Sequence, residues 1–222
     1  VREKCSCLIQ KLITRTYQLS NIHELEYQNF DTFDSSIFPD TLEPGSKMSQ
    51  RQYMEELKAR LEQYVSQFPD NDRKIILFTG KTGLGKTFLL NCMAKAILDK
   101  GYTVIRISAY KLFDQLFHSA ISNQQEYEQL QNQLFDVDAL IIDDLGTETR
   151  RNNFTSEDLF NIINERSTLS KHTFLSTNLG LGDLRQRYSD RITSRLFDTS
   201  NTILIRFKGQ DVRLRPRKEA QK

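Results

Sequence analysis

The segment "GKTGLGKT", residues 80–87, fits the pattern G-x-x-x-x-G-K-[ST] in full. Its glycines permit the backbone conformations that aim successive N–H groups at phosphate oxygens. Lys86 would supply a cation to the β- and γ-phosphates, and the hydroxyl of Thr87 would be a ligand to Mg²⁺. The segment therefore predicts a site for ATP or ADP with Mg²⁺. The expected contacts are Gly80, Lys81, Thr82, Gly83, Leu84, Gly85, Lys86, Thr87 and Phe88.

The residues around this segment have the pattern of alternating strands and helices. "KIILFTG", from Lys74, is a short apolar run that ends in the glycine-rich turn, which predicts a buried strand before a helix from Lys86 to about Asp99. Four further strands are predicted, at 102–108, 139–144, 172–177 and 202–207. Helices are predicted between them, around 109–119, 123–135, 155–169, 181–188 and 190–197. This alternation favours an α/β fold whose parallel sheet is covered on both faces.

The composition narrows the class of protein. The chain has 222 residues, of which 38% are hydrophobic and 27% charged, and its formal net charge is +2. These values are typical of a soluble globular protein, and any nucleic-acid contact must come from a local basic patch. No apolar run approaches the roughly 20 residues of a membrane helix, so no membrane association is expected. Three cysteines do not make a disulfide framework, which favours a reducing cytoplasm.

The segment "LIIDD" places two carboxylates at the end of a predicted buried strand. Asp143 is expected to act on Mg²⁺, and Asp144 to orient the attacking water. In many phosphate-loop ATPases the second acid is Glu, which is longer than Asp by one carbon–carbon bond of about 1.5 Å. Hydrolysis is therefore expected to be slow, or to need another acid such as Glu148. The alternative for such a pair is a solvated turn.

Polar residues also follow the fourth predicted strand, in the segment "LSTN". Ligands of open parallel sheets bind at the carboxyl ends of the strands. Thr177 and Asn178 lie at such an end, where a polar side chain could hydrogen-bond the γ-phosphate or the attacking water. Without the other motifs, this segment would more often be an ordinary turn.

Residues 28–46, "QNFDTFDSSIFPDTLEPGS", combine Asp, Ser and Pro with three phenylalanines. A flexible tether would not need Phe30, Phe33 and Phe38. These residues predict an ordered linker that lays its aromatic side chains onto a neighbouring surface. Ser49 then has the position of an N-cap for a helix that runs through Phe68.

The order of these motifs resembles that of the AAA+ ATPases, and their amino-acid sequences resemble those of the DnaC/DnaI-type replicative helicase loaders of bacteria and phages. The motifs are the phosphate loop, "LIIDDLGTE", "STN" and "RITSRLFD", together with "NFDTFD" before the core and "FKGQDVRLR" at 207–215. The likeness covers about residues 28–215. It implies an ATP-dependent loader that delivers a DnaB-type hexameric helicase onto single-stranded DNA, working as a nucleotide-dependent homo-oligomer.

The resemblance also implies a domain organisation. The AAA+ core would occupy residues 49–215, as a five-stranded parallel sheet between helices without a C-terminal helical lid. The aromatic linker would occupy 28–48, and residues 1–27 would be the remnant of an N-terminal region with a zinc module and the helicase-binding surface. Residues 216–222 would be a basic tail. Because the lid is missing, the usual second sensor arginine should be missing too.

Arg191 and Arg195 stand four residues apart in "SDRITSRLFD", so they share one face of a helix. In the family, an arginine of the "SRL" segment acts as a finger on ATP bound by the neighbouring subunit. That role falls on Arg195, with Arg191 as a second candidate. The alternative is an ion pair within the chain or a solvated basic face.

Contacts to DNA are expected after the second strand, in "RISAYKLF". Arg106, Tyr110 and Lys111 are the candidates, since single-stranded DNA needs a cationic groove and stacking side chains. The alternative is that Tyr110 and Phe113 belong to the core and the charges are solvated. Arg150 and Arg151 form a further basic loop.

Zinc is not expected in this chain. Cys5 and Cys7 resemble the second half of a four-cysteine zinc module, and structural zinc requires four ligands. His23 is the nearest histidine, and Cys92 falls inside the helix after the phosphate loop, where a core position is expected.

Three rival functions remain at this point. An IstB-like transposition helper ATPase would have a similar core, with a transposase and duplex DNA as partners. A DnaA-like initiator would need a helical lid and a DNA-reading domain. A nucleotide-dependent adaptor without useful turnover is compatible with aspartate at position 144.

Overall fold

A computed structural model describes residues 25–42, 45–149 and 154–214. The predictions for residues 1–24, among them the Cys5 and Cys7 module, lie outside the described residues. The same holds for Arg150, Arg151 and the basic tail, residues 216–222.

Five parallel strands form one sheet in the order β2-β3-β4-β1-β5. The sequence prediction of an α/β fold with a five-stranded parallel sheet is confirmed. The strands are β1 (Ile75–Thr79), β2 (Val104–Ser108), β3 (Ala139–Leu145), β4 (His172–Thr177) and β5 (Thr202–Arg206).

Seven α-helices lie within the described ranges, close to the predicted positions. They are α1 (Gln50–Ser66), α2 (Lys86–Asp99), α3 (Ala109–Ser122), α4 (Gln124–Asp136), α5 (Phe154–Thr168), α6 (Leu181–Arg187) and α7 (Asp190–Leu196). Ser49 caps α1 as expected, because its hydroxyl accepts from the N–H of Gln52 while the Gln52 side chain returns to the N–H of Ser49. Helix α3 is longer than predicted and runs to Ser122.

The core has two apolar layers, one on each face of the sheet. All five residues of β1 are buried, and its alternate side chains point to opposite faces, as a strand covered on both sides requires. Helices α1 and α2 cover one face together with Leu25 and Phe38, whereas α3, α5, α6 and α7 cover the other. Phe38 is only 2% exposed and packs near the phosphate loop.

The strand order decides where the functional segments meet. Strand β4 lies between β1 and β3, so the segments that follow these three strands emerge side by side at one edge of the sheet. After β5, the described chain forms only a single 3₁₀ turn, Val212–Leu214. None of the helices in the described ranges combines the length and apolar character that a bilayer crossing requires.

Candidate nucleotide-binding site

The phosphate loop, residues 80–87, connects β1 to α2. Gly83 and Gly85 have φ angles of 73° and 92°, a backbone region that favours glycine. A β-carbon at Gly80 would lie 2.5 Å from the carbonyl oxygen of Phe207, so no other residue fits there without a shift of the backbone. The loop thus keeps a conformation in which the chain turns directly into the N-terminus of α2, where unpaired N–H groups favour anions.

Lys86 is the central cation of the site and is 5% exposed. Its Nζ donates to the carbonyl oxygens of Gly80 (2.6 Å) and Lys81 (2.7 Å) and to Oδ1 of Asn178 (2.8 Å). Burial lowers the pKa of the Lys86 ammonium, and the charges of Asp144 and Asp143 oppose this shift. The lysine therefore connects the loop after β1 with Asn178, the residue after β4. All three of its acceptors are oxygen atoms, which phosphate oxygens could replace.

Asp143 lies beside Thr87, as the sequence predicts for a metal site. The Thr87 hydroxyl is 3.2 Å from Oδ1 of Asp143, which also accepts a hydrogen bond from the Ser176 hydroxyl. Arg106 donates to the other carboxylate oxygen at 3.1 Å. A hydroxyl and a carboxylate are the oxygen ligands that Mg²⁺ takes alongside phosphate and water, so this pair fits the ion. The described residues contain no cluster of three or more His, Cys, Asp or Glu that would form a closed metal site.

Asp144 projects into the same cleft from an unusual backbone position. Its φ angle is 55°, and its N–H donates to the Ser176 hydroxyl at 2.9 Å. Its carboxylate accepts from Nδ2 of Asn178 at 3.2 Å. Burial and the neighbouring charge of Asp143 raise the pKa of Asp144. A carboxylate with a raised pKa, held by a second polar residue at the phosphate end of a cleft, can accept a proton from water.

The cleft itself has a volume of about 630 Å³, within the usual range for ligand sites. One end is polar and contains the phosphate loop, Asp144 and Asn178. The other end is apolar and contains three aromatic rings. The ring centroid of Phe33 lies 6.0 Å from that of Phe38 and 6.1 Å from that of Phe88. A cleft with a phosphate-binding end and an aromatic end has the shape and polarity of a nucleotide.

Arg213 also lines this cleft, which the sequence analysis missed. Its guanidinium donates to the Thr82 hydroxyl and pairs with Asp211 at 3.2 Å, while the N–H of Val212 donates to the carbonyl of Gly83 at 3.0 Å. The usual second sensor arginine was expected to be missing together with the lid, and Arg213 reaches the site from a different part of the chain. The 3₁₀ turn after β5 brings the arginine to the loop without a helical domain. The signal was present in "FKGQDVRLR", read only as a family ending.

Glu148, the suggested substitute for Asp144, does not line the cleft. It is 4% exposed and forms an ion pair with Arg187 at 3.0 Å. The Tyr188 hydroxyl and the N–H of Gly146 donate to the same carboxylate, at 2.5 Å and 2.7 Å. These contacts tie the segment after β3 to α6. Thr177 has a similar role, since its buried hydroxyl donates to the carbonyl of Leu145.

Arg191 and Arg195 are exposed on α7 and lie outside the cleft. The guanidinium of Arg191 stacks over Phe160, 4.2 Å from the ring centroid. Arg195 donates to Oδ1 of Asn164 at 3.1 Å. Both partners belong to α5. The structure thus shows local contacts for each arginine and leaves both guanidinium groups at the surface.

The structure separates the expected DNA-contacting residues from one another. Arg106 pairs with Asp143, and its side chain is only 13% exposed. Phe113 belongs to the core, whereas Tyr110 and Lys111 are exposed at the start of α3. The ion pair accounts for Arg106 beside the nucleotide site, so among the described residues of this segment Tyr110 and Lys111 are the surface candidates.

Comparison with known proteins gives a consistent result. Residues 49–220 match the family model of the IstB-like ATP binding proteins. The replicative helicase loader DnaC of Escherichia coli K12 is 28% identical over 158 residues, which are 71% of this chain and 62% of that protein. The chain therefore spans less than two thirds of this curated relative.

Two solved structures are similar in fold. A crystal structure of the DnaC helicase loader aligns with a TM-score of 0.67 and 22% identity, over 83% of this chain and 99% of that one. AMPPCP-bound DnaA from Aquifex aeolicus aligns with a TM-score of 0.64 and 20% identity, over 84% and 52% of the two chains. These likenesses show that the described core has the AAA+ fold.

Proposed function

The chain belongs to the family of IstB-like ATP-binding proteins, and from this premise we propose that it is an AAA+ ATPase that delivers a DnaB-type replicative helicase onto single-stranded DNA. The hydrogen bond between Lys86 and Asn178 is the main support for the ATPase activity, because it brings two motifs that are 92 positions apart into one cleft. The similarity to the replicative helicase loader DnaC supports a helicase as the partner.

In this proposal the phosphate loop binds the triphosphate of ATP. The amides of the loop and of the first turn of α2 donate to phosphate oxygens, and Lys86 exchanges the loop carbonyls for the β- and γ-phosphates. Since Lys86 is buried, its charge acts in a medium where an ionic contact is stronger than in water. The aromatic end of the cleft takes the nucleoside.

Thr87 and Asp143 would hold Mg²⁺. The ion, when bound, neutralises phosphate charge. Ser176 keeps the Asp143 carboxylate turned toward Thr87 through its hydrogen bond to Oδ1. Arg106 holds the second oxygen of the same carboxylate, so Asp143 is oriented from two sides.

Asp144 and Asn178 would position the attacking water. The Asn178 amide contacts both the Lys86 ammonium and the Asp144 carboxylate. From this position it can form hydrogen bonds with the γ-phosphate and with the attacking water. The raised pKa of Asp144 brings its basicity closer to that of an effective general base. The short side chain of Asp144 fits slow, switch-like hydrolysis that controls assembly and release of the helicase.

Arg195 would complete the site of a neighbouring subunit, with Arg191 as the second candidate. A guanidinium supplied by another subunit stabilises the charge of the transferring phosphoryl group. The exposure of both arginines outside their own cleft supports an action on another molecule. ATP would then link subunits into an oligomer.

A second candidate function follows from the family match, namely an IstB-like helper ATPase of transposition. Its partners would be a transposase and duplex DNA. The same ATP site serves both functions, so only the partner separates them. The likeness of "NFDTFD" and "FKGQDVRLR" to the loaders favours the helicase.

The decisive experiment follows transfer of a cognate DnaB-type helicase onto circular single-stranded DNA. The protein is compared with Lys86→Ala and with Lys95→Ala, a half-buried control on α2 whose side chain lies outside the cleft and pairs with Asp99. We expect ATP-dependent transfer by the protein and the control, and loss of transfer by Lys86→Ala. Failure to associate with the helicase in any nucleotide state would reject the loader and favour the transposition helper.

A further inference from the structure

Asn91 is a polar residue among the buried, mostly apolar side chains of α2. The residue is 0% exposed, and its neighbours Leu90 and Cys92 are buried as well. Its Oδ1 has no hydrogen-bond partner among the described residues, while its Nδ2 donates to Oε1 of Gln28 at 2.6 Å. An unpaired buried polar atom is costly, so an asparagine at this core position requires an explanation beyond packing.

Gln28 connects this buried amide to the nucleotide cleft. It is half-buried, belongs to the segment before the core, and lines the cleft wall. Asn91 follows Thr87 by one helical turn, so both side chains lie on the same face of α2. The hydrogen bond from Asn91 therefore fixes one oxygen lone pair of Gln28 and orients its amide next to the aromatic end of the cleft.

The surroundings of Gln28 suit a flat ring. Phe33, Phe38 and Phe88 line the same cleft, and the ring centroid of Phe33 lies 6.0 Å from that of Phe38 and 6.1 Å from that of Phe88. Such side chains contact the faces of a base, and they do not distinguish one purine from another. Discrimination between bases requires a polar group at the edge of the ring.

An oriented glutamine amide is such a group. The carbonyl oxygen of Gln28 has a second lone pair, and its Nε2 is a donor, so the amide offers one acceptor and one donor side by side. Adenine presents the complementary pair, the N6 amine and the N7 acceptor, whereas guanine presents two acceptors, O6 and N7.

We infer that Gln28 reads the base of the bound nucleotide and selects adenine over guanine, and that Asn91 is the positioning residue that orients the Gln28 amide. The inference rests on the proposed function, since it concerns the nucleotide that this cleft would bind. It assigns the segment before the core a part in nucleotide selection.

The test measures binding of AMPPCP, GMPPCP and inorganic tripolyphosphate by calorimetry in the presence of Mg²⁺. Gln28→Leu should weaken AMPPCP binding about tenfold and leave GMPPCP and tripolyphosphate binding unchanged, because a bidentate amide–adenine contact contributes about that much discrimination. Tyr27→Leu is the control, since this neighbouring side chain is 77% exposed and does not line the cleft.

Asn91→Leu tests the positioning role. The preference for AMPPCP over GMPPCP should fall, while the melting temperature stays equal or rises, because an apolar side chain of similar size replaces a buried amide whose Oδ1 has no hydrogen-bond partner among the described residues. A purely structural asparagine would show the reverse, a lower melting temperature with the preference intact. Gln28→Leu decides the question by itself if Asn91→Leu does not fold.

The outcomes separate this inference from the function on which it rests. A Gln28→Leu protein that keeps the full preference for AMPPCP overturns the inference and leaves the ATPase proposal standing. A parent protein that binds neither AMPPCP nor tripolyphosphate overturns both.

Discussion

The guanidinium of Arg106 on β2 lies 3.1 Å from the carboxylate of Asp143 on β3. The two side chains are largely buried, with 13% and 6% of their surfaces exposed. An arginine that the sequence suggests for DNA binding therefore holds the carboxylate of the proposed metal site.

Arg106→Gln should destabilise the protein by about 3 kcal/mol, because it leaves the buried Asp143 carboxylate without its ionic partner. ATP turnover should fall, while affinity for single-stranded DNA and its dependence on salt stay the same. Urea unfolding, ATPase assays and DNA titrations at several salt concentrations measure these effects. Lys111→Ala serves as the comparison, since loss of a phosphate contact there would reduce the salt slope by about 1. If Arg106→Gln instead weakened the salt dependence of DNA binding and left stability intact, Arg106 would be a DNA contact.

Arg195→Ala should abolish turnover in a homogeneous sample without preventing nucleotide binding. Mixing it with Lys86→Ala in equal amounts should restore turnover, because roughly a quarter of the subunit interfaces then combine an intact Lys86 with an intact Arg195. ATPase activity of the mixture against that of each variant alone is the measurement. Full activity of Arg195→Ala by itself would exclude it as the finger and transfer the test to Arg191→Ala.

Asp144→Asn should reduce turnover at least about 100-fold and preserve ATP binding, since a general base contributes that much. The pKa of Asp144 is raised above the ordinary value of 3.8. The rate of ATP hydrolysis by the parent protein should therefore fall as the pH is lowered through this raised pKa, because the carboxylate becomes protonated. Asp144→Glu should keep turnover and Asp72→Asn, at an exposed position, should behave like the parent. A parent protein that binds ATP but shows no turnover at any pH would indicate the nucleotide-dependent adaptor.

His172 should make the fold sensitive to mild acid. It is 2% exposed, its ring lies 4.3 Å from that of Phe68, and burial lowers its pKa to about 3. The unfolded chain binds a proton near pH 6.5 whereas the folded chain does not, so stability is complete above 6.5 and decreases as the pH falls toward 3.

Between pH 7 and 5.5, the free energy of unfolding should fall by about 1 kcal/mol more in the parent than in His172→Phe. Urea unfolding at the two pH values measures the difference. His118→Gln, at an exposed position, should keep the parental slope. Equal slopes in the parent and His172→Phe would show that another group titrates.

Much of the fold could be predicted from local patterns. The run Ile75–Thr79 before a glycine-rich turn is apolar throughout, because the strand is buried on both faces. Ser49 and Gln52 form a capping box that only neighbouring residues create. The phosphate loop, Asp143, Asp144 and Asn178 were recognisable because each lies at the carboxyl end of a strand or directly after it.

Tertiary structure decided which of these residues meet. β4 lies between β1 and β3, which places Asn178 against both Lys86 and Asp144. Lateral strand order does not follow from the periodicity of any one segment, since it depends on how all the apolar faces are covered together.

Residues close together in the chain are therefore enough to predict an α/β phosphate-loop protein, because they set strand burial, helix capping and the glycine turn. Three contacts depend instead on the tertiary structure: Arg106 pairs with Asp143, Arg213 reaches the phosphate loop, and Asn91 donates a hydrogen bond to Gln28. These contacts join residues 37, 131 and 63 positions apart. Side chains so distant in sequence meet only when the packing of the whole core fixes the backbone that carries them.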